Sequence, residues 1–338
     1  MKKTQNSPVL LANAKFESRG KHDTGNNIPG EICLANDARF IEGNFSEPLT
    51  AYAAGWRDEG NLESELDFIA PPVQVSRRFE FAAQTNAEFF YSEADDIRAI
   101  GSPFNRVTYT QSKTLGKTLN KGLTMRVDLD QVAGMPNWRE NYTARLLKRL
   151  LRNELRRIYV AALAAGTDTP KTWDTSAGKD PDQDVRTAVI ASGDDSGMSP
   201  NRIVYDITAW NKRAIAHRAQ TGAGGFASSG MTIDQVAGYL NLRKGLVSES
   251  RYVADGAASA TDKSRTFGSG RIIIFMADPE ANTEDPSNFK RFWTPCEGGE
   301  KFRVYEQQVS AKFVDITVEH YSQMVVTSTL GIQTFTIS

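Results

Sequence analysis

The sequence predicts an α+β fold with an extended front third and a mixed remainder of helices and strands. Three patterns predict it. Apolar residues at odd positions recur from Val107 to Leu129, a period-2 strand signal. Apolar residues at helical spacing then recur from Tyr142 to Ala165. From Arg202 onward, short apolar runs bounded by turn residues alternate with capped helix patterns.

Residues 1–70 open the chain as an expected arm. Gly, Asn, Asp, Glu and Ser are frequent there, and the apolar residues show no evident period. Such a stretch does not bury enough surface to fold alone. Yet Phe16, Phe40, Phe45, Tyr52, Trp56, Leu62, Leu66 and Phe68 are too many large apolar groups for a solvated tail. An extended arm that packs on another surface is the expectation, with short elements at 32–34, 40–41 and 49–54.

Pro71 and Pro72 end the arm, and Val73, Val75, Phe79 and Phe81 alternate with polar residues as a strand would. The span 107–129 is then read as one long two-faced ribbon. Val107, Tyr109, Leu115, Leu119, Leu123, Met125, Val127 and Leu129 line one face, with breaks expected at Gly116 and Gly122. A ribbon that long with one apolar face needs a covering partner.

A helix of about 28 residues should follow, about 42 Å long. Asn137 is its expected N-cap, Glu140 takes the capping-box position and Gly166 the stop. Arg145, Lys148, Arg149, Arg152, Arg156 and Arg157 make its other face basic. Residues 167–184 read as a polar linker. Arg202–Tyr205 is a strand, and Asp206 or Thr208 caps a helix through Trp210, Ala214, Ile215 and His217. Gly222–Gly230 reads as a flexible loop, and Thr232 with Gln235 forms a capping box. A strand is expected at Leu246–Val247 or Arg251–Val253, a loop at Gly256–Ser269 and a buried strand at Arg271–Met276. Ile316–His320, Met324–Val326 and Ile332–Ile337 complete a β-rich C-terminus.

Over 338 residues, 40% hydrophobic and 24% charged composition is that of a globular protein. The net charge of −1 supplies no global basic field, which argues against an intimate grip on nucleic acid. Two distant cysteines, Cys33 and Cys296, exclude a disulfide framework or zinc spacing and fit a reduced, intracellular protein. The apolar patch Val9–Ala12 is too short for a secretory signal, and no apolar run is long enough for a membrane span. The sequons at Asn44 and Asn141 therefore read as chance.

No catalytic, cofactor-binding or metal-ligating residue is expected. His22, His217 and His320 sit in no metal motif, and the two later ones fit structural roles in a helix and a strand. Gly222–Ala227 has the letters of a dinucleotide loop but follows no apolar strand. Asp180, Asp182 and Asp184 have calcium-loop spacing, but Val185 and Ala191 stand where glycine and glutamate belong. The neighbours Asp95–Asp96 and Asp194–Asp195 read as turn residues. No phosphate loop or nucleophile elbow occurs.

The ribbon VTYTQSKTLGKTLNKGLTMRVDLDQV (107–132) leads straight into the helix NWRENYTARLLKRLLRNELRRIYVAALAAG (137–166). PNRIVYDITAWNKRAIAHRA (200–219) supplies a strand and helix, and TIDQVAGYLNL with VSESRYV a second pair. This order resembles the major capsid proteins of tailed bacteriophages, the Hong Kong 97-like capsid fold. The resemblance covers nearly the whole chain as a likeness of pattern.

It implies an N-terminal arm at 1–70, an extended loop at 71–135 and a spine helix with peripheral domain at 136–180. An axial domain at 181–305 and C-terminal strands at 306–338, returning to the peripheral domain, complete the division. It implies a structural protein and no enzyme. Copies would assemble as hexamers and pentamers into the icosahedral head of a virion, in the host cytoplasm. Scaffolding and portal proteins would be partners, packaged DNA would be touched weakly and no membrane would be involved. Lys113, Lys117 and Lys121 lie in the loop where some relatives cross-link, but nothing in the sequence names a partner for them. An encapsulin shell shares the fold but begins with an amphipathic cargo-docking helix, which the sequence does not announce. A tail or adaptor subunit and a monomeric α/β enzyme are the remaining alternatives.

Overall fold

A computed structural model describes residues 42–58, 60–83, 97–98, 100, 102–104, 112–220, 223–253 and 263–338. His22, Cys33, Asp95 and Asp96, Val107 and Tyr109 of the expected ribbon, and the first half of the expected loop at 256–269 lie outside them. The described residues open with a short 3-10 turn at Glu42–Asn44, followed by helices α1 (Glu47–Gly55) and α2 (Leu62–Ile69). Strands β1 (Pro72–Gln74), β2 (Arg78–Ala83), β3 (Ser112–Lys117) and β4 (Leu119–Asp128) follow. A single turn, α3 (Leu129–Val132), leads to the long helix α4 (Trp138–Ala165). Next come β5 (Thr167–Lys171), α5 (Pro181–Ser196), β6 (Arg202–Asp206), α6 (Ile207–Ala219), α7 (Ala223–Ser229) and α8 (Ile233–Tyr239). The rest is strand: β7 (Lys244–Ser248), β8 (Arg251–Tyr252), β9 (Ser264–Arg265), β10 (Arg271–Phe275), β11 (Phe289–Thr294), β12 (Arg303–Gln308), β13 (Phe313–Val326) and β14 (Gln333–Ile337).

Two five-stranded sheets carry the fold. The first is organised by β13. Residues 314–319 of β13 pair with both β4 and β12, and residues 321–322 with both β4 and β11. So β4 occupies one edge of β13, and β11 and β12 follow one another along the other, with β1 parallel beyond β11. The second sheet runs β5-β14-β10-β6-β7. Its centre, Ile272–Phe275 against Ile203–Tyr205, is fully buried on both faces, which explains the unbroken apolar run.

Helix α4 lies between these sheets and the front helices. Leu146, Leu147, Leu150, Leu151, Leu155, Ile158, Tyr159 and Ala162 share one core cluster with Ile316, Val318 and Met324 of β13. Each such leucine, fully buried, contributes about 1.5–3 kcal/mol. Asn137 stands at the N-cap as expected, but in a left-handed conformation with no side-chain capping bond, so the expected capping box is absent. Gly166 ends the helix, and its amide donates to the Ala162 carbonyl.

Several expectations are corrected. Residues 47–55 and 62–69 are helices, not extended chain, and Leu49, Ala53, Leu62, Leu66 and Ile69 join the core around α4. Leu62, Leu66 and Ile69 stand at i, i+4 and i+7, a helical period that the acidic residues between them conceal. The expected linker contains strand β5 and the start of α5. Strand β5 is polar because it edges its sheet beside β14, and its neighbour Trp173 is buried. Residues 223–229 form a helix, not a loop. The C-terminal strands divide: β13 belongs to the first sheet, β14 to the second. The Thr232–Gln235 capping box and the Asp206 N-cap form as expected.

Candidate functional site

The candidate site is the ribbon of β2 and β3 together with its root on the first sheet. Strands β2 and β3 pair antiparallel with Phe79 opposite Gly116 and Phe81 opposite Thr114. The two phenylalanines meet Phe292 of β11 at ring centroids 4.4 and 5.5 Å away. A Cβ on Gly116 would lie 2.5 Å from the Phe79 ring, so only glycine lets that ring lie across the partner strand. Arg77 stacks over Tyr321, and Thr118 bonds Thr294 hydroxyl to hydroxyl at 2.8 Å.

Thr118 also overturns the single continuous face expected for 107–129. The chain breaks there, and the break falls at neither of the expected glycines. In β4 the odd residues Leu119, Leu123, Met125 and Val127 are the more buried ones. In β3 the odd residues Lys113, Leu115 and Lys117 are exposed, and Leu115 stands 73% exposed. Beyond the ribbon's root, Ile97, Ile100 and Phe104 are 79%, 104% and 73% exposed. The ribbon therefore presents large apolar groups that the described part of its own chain leaves uncovered.

Behind the root lies a buried charge cluster. Register puts Lys121 of β4 opposite His320 of β13, so both side chains reach the face that carries α4. Glu154 of α4 receives Lys121 Nζ at 3.1 Å, and Ser322 Oγ donates to the same carboxyl. His320 Nε2 lies 3.3 Å from it. Burial opposes the Glu154 charge, but Lys121 and His320 outweigh it and hold the carboxyl well below its usual range. Burial lowers His320 despite the pull of Glu154. Burial also lowers Lys121, with Glu154 in opposition. Nearby, Arg291 pairs with Asp67 and Lys301 with Glu63, which ties α2 to the sheet. Of the three loop lysines, then, Lys121 is an internal ion-pair partner, while Lys113 and Lys117 face outward.

A second buried carboxylate, Glu65 of α2, has hydroxyl partners. Tyr159 of α4 donates to it, and Ser248 of β7 donates at 2.5 Å. Burial is the largest influence and raises its pKa. In the third cluster Asp182 takes a bidentate bond from Arg213, at 2.6 and 2.7 Å, with His217 at 3.2 Å. The Asp180–Asp182–Asp184 spacing thus serves three jobs. Asp180 caps α5, Asp182 pairs with α6, and Asp184 accepts from Trp173 Nε1 and Lys171. Asp194 and Asp195 lie in α5, not in a turn, and Asp195 accepts from the Gly331 amide.

These titratable groups are internal struts. Among the described residues no group of three or more His, Cys, Asp or Glu is placed to hold a metal ion. A small cleft lined by Ser192, Ser196, Met276, Asn288, Ser328 and Leu330 carries no titratable side chain. Burial pushes the Cys296 thiol up to about 12, so it stays protonated. The Gly222–Ala227 stretch follows α6, not a strand. No helix among the described residues is long and apolar enough to cross a membrane. The sequence offered one signal of the cluster: Lys121 occupies an odd position in the apolar row of β4, where a charged group requires a partner.

No family model matches the chain, and no curated protein does. Among solved structures, a phage-related protein from Bordetella bronchiseptica is 18% identical over 86% of this chain and 96% of its own, with a TM-score of 0.60. The two chains share one fold. It is the Hong Kong 97-like fold that the order of elements implied. A structure from Gordonia phage Cozz covers 94% of the chain at 11% identity with a TM-score of 0.48. A virus-like particle from Pyrococcus furiosus covers 85% at 12% identity, with a TM-score of 0.43.

Proposed function

We propose that this chain is the major capsid protein of a tailed phage, a structural protein and not an enzyme. The observation that carries the reading is the rooted ribbon. Its base is clamped by Phe79, Phe81 and Phe292, while the side chains of Leu115, Phe104, Ile100 and Ile97 are largely exposed. Large apolar groups left exposed between and along the two strands are the kind of surface that a partner covers. The fold shared with a phage-related protein supports the same reading.

On this reading the residues up to 70 act as an arm whose last two helices are fixed to the body. Residues 71–135 act as the extended loop that lies over the next subunit. The division into a peripheral domain around α4 (136–180 with β13) and an axial domain (181–305, whose sheet β14 joins) is part of the proposal, as are hexamers and pentamers around the axial loops. Closed symmetry then multiplies modest contacts over many copies. Scaffolding and portal proteins, packaged double-stranded DNA and assembly in the host cytoplasm complete the picture.

Electron microscopy of the full chain, expressed alone and with its phage neighbours, tests the proposal. Closed icosahedral particles are expected. The variant Phe104→Ser with Leu115→Ser should stay folded, by circular dichroism, but form no closed shells. Rings, tubes or a monodisperse monomer at high concentration would overturn the reading.

A further inference from the structure

Helix α4 has seven basic residues and only two acidic ones, Glu140 and Glu154. The cations are not spread evenly. At 100° per residue, Arg145, Arg149, Arg152 and Arg156 fall within about 60° of one another, opposite the buried face. They form a straight row about 16 Å long. Neither acid lies on that side. Glu154 is buried against β4 and β13, and Glu140 projects about 160° from the row. Arg145, Arg149 and Arg152 are exposed. Lys148 takes Asp58 at 3.1 Å, Arg145 rests over the Tyr142 ring and Arg156 over the Tyr252 ring. Arg149 and Arg152 make no ion pair with any described residue.

Like charges at i and i+4 destabilise a helix by a few tenths of a kcal/mol each. A row of them on a chain whose net charge is −1 is a local concentration of positive charge. The cations are guanidiniums, the group that matches phosphate oxygens in pairs. The helix holds them rigidly in line, and a duplex carries one phosphate charge per about 1.7 Å of its axis. Among the described residues no aromatic side chain stacks openly between them, because Tyr142 and Tyr252 are already covered by arginines. A sequence-independent contact to a duplex backbone fits this surface better than a single-strand platform.

We propose that the Arg145–Arg149–Arg152 row binds the phosphate backbone of double-stranded DNA and that this face of α4 is the one turned toward the shell's contents. The orientation rests on the shell reading, but the phosphate contact does not. The test is a salt titration of the full chain with a fluorescent 20-base-pair duplex, followed by anisotropy. Each phosphate contact removed should flatten the plot of log affinity against log salt by about 0.9. The variant Arg149→Gln with Arg152→Gln should therefore lower the slope by about 2, with an unchanged melting temperature. The control Arg243→Gln with Lys244→Gln removes the same charge elsewhere on the exposed surface and should leave the slope within about 0.5 of the original.

An unchanged slope in the Arg149/Arg152 variant, or an equal loss in the control, would overturn the proposal. So would loss of binding to a polyglutamate peptide in that variant while duplex affinity held, which would assign the row to an acidic protein partner. Failure of the shell reading would show separately, as absence of closed particles in the microscope.

Discussion

Glu65 and Glu154 are both buried carboxylates at the surface of α4, yet the chain treats them in opposite ways. Glu154 faces the first sheet and is surrounded by Lys121, His320 and Ser322. Glu65 comes from α2 toward the second sheet and meets only the hydroxyls of Tyr159, Ser248 and Ser250. Cations hold Glu154 well below its ordinary range, whereas burial with hydroxyl partners leaves Glu65 raised. The difference shows that burial by itself does not set a carboxyl's charge; the partners brought by distant strands do.

The largest effect should come from Glu154→Ala. It leaves Lys121 and His320 buried without their anion, and breaking such a pair costs about 3–5 kcal/mol. Glu65→Ala strands hydroxyls only and should cost about 1–3 kcal/mol. Urea denaturation midpoints measure both, and a greater loss at Glu65 would break the comparison.

The pH dependence should separate them next. Glu65 has a folded pKa above its ordinary value of 4.5, so the folded state holds the extra proton. Its contribution is most favourable near and below pH 4.5 and is lost as pH rises through the raised value. Glu154 is the reverse: its contribution is full above pH 4.5 and is lost as pH falls through its depressed value. Midpoints measured from pH 3 to 8, for the protein and for Glu65→Gln, should show a smaller decline above about pH 4.5 in the variant, the remainder coming from Asp67, which burial also raises. An undiminished decline in Glu65→Gln would assign it to another group.

The smallest change is expected from Lys121→Met combined with Glu154→Leu. Replacing both partners of a buried pair with apolar groups is often close to neutral. The double variant should recover at least half of the loss seen in Glu154→Ala by the same denaturation. No recovery would mean that His320 and Ser322 carry the cluster.

Much of this was legible in the chain. The α4 period, the Gly166 stop, the Thr232–Gln235 capping box and the Ile272–Phe275 strand each declare themselves within a few residues. Helices α1 and α2 did not, because each has fewer than three turns, α1 holds a run of small residues without a stripe and the apolar residues of α2 are separated by acidic ones. Strand β5, with only Thr, Asp, Pro and Lys, carries no strand pattern. For the candidate site, the uncovered apolar content of the ribbon could be read from composition and alternation. Its root could not, since Phe79 and Phe292 are 213 positions apart and meet only through sheet pairing.

The sequence by itself determined the Asp206 and Thr232 caps, the helical stripe of α4 and the in–out alternation of β4, because caps, periods of 3.6 and periods of 2 are properties of neighbouring residues. Only the tertiary structure decided that alternation reverses at Thr118, that β13 and β14 part company into different sheets and that Lys121 lies opposite His320. Those outcomes depend on hydrogen-bonded register between strands far apart in the chain, and no local pattern specifies which strand will be the neighbour.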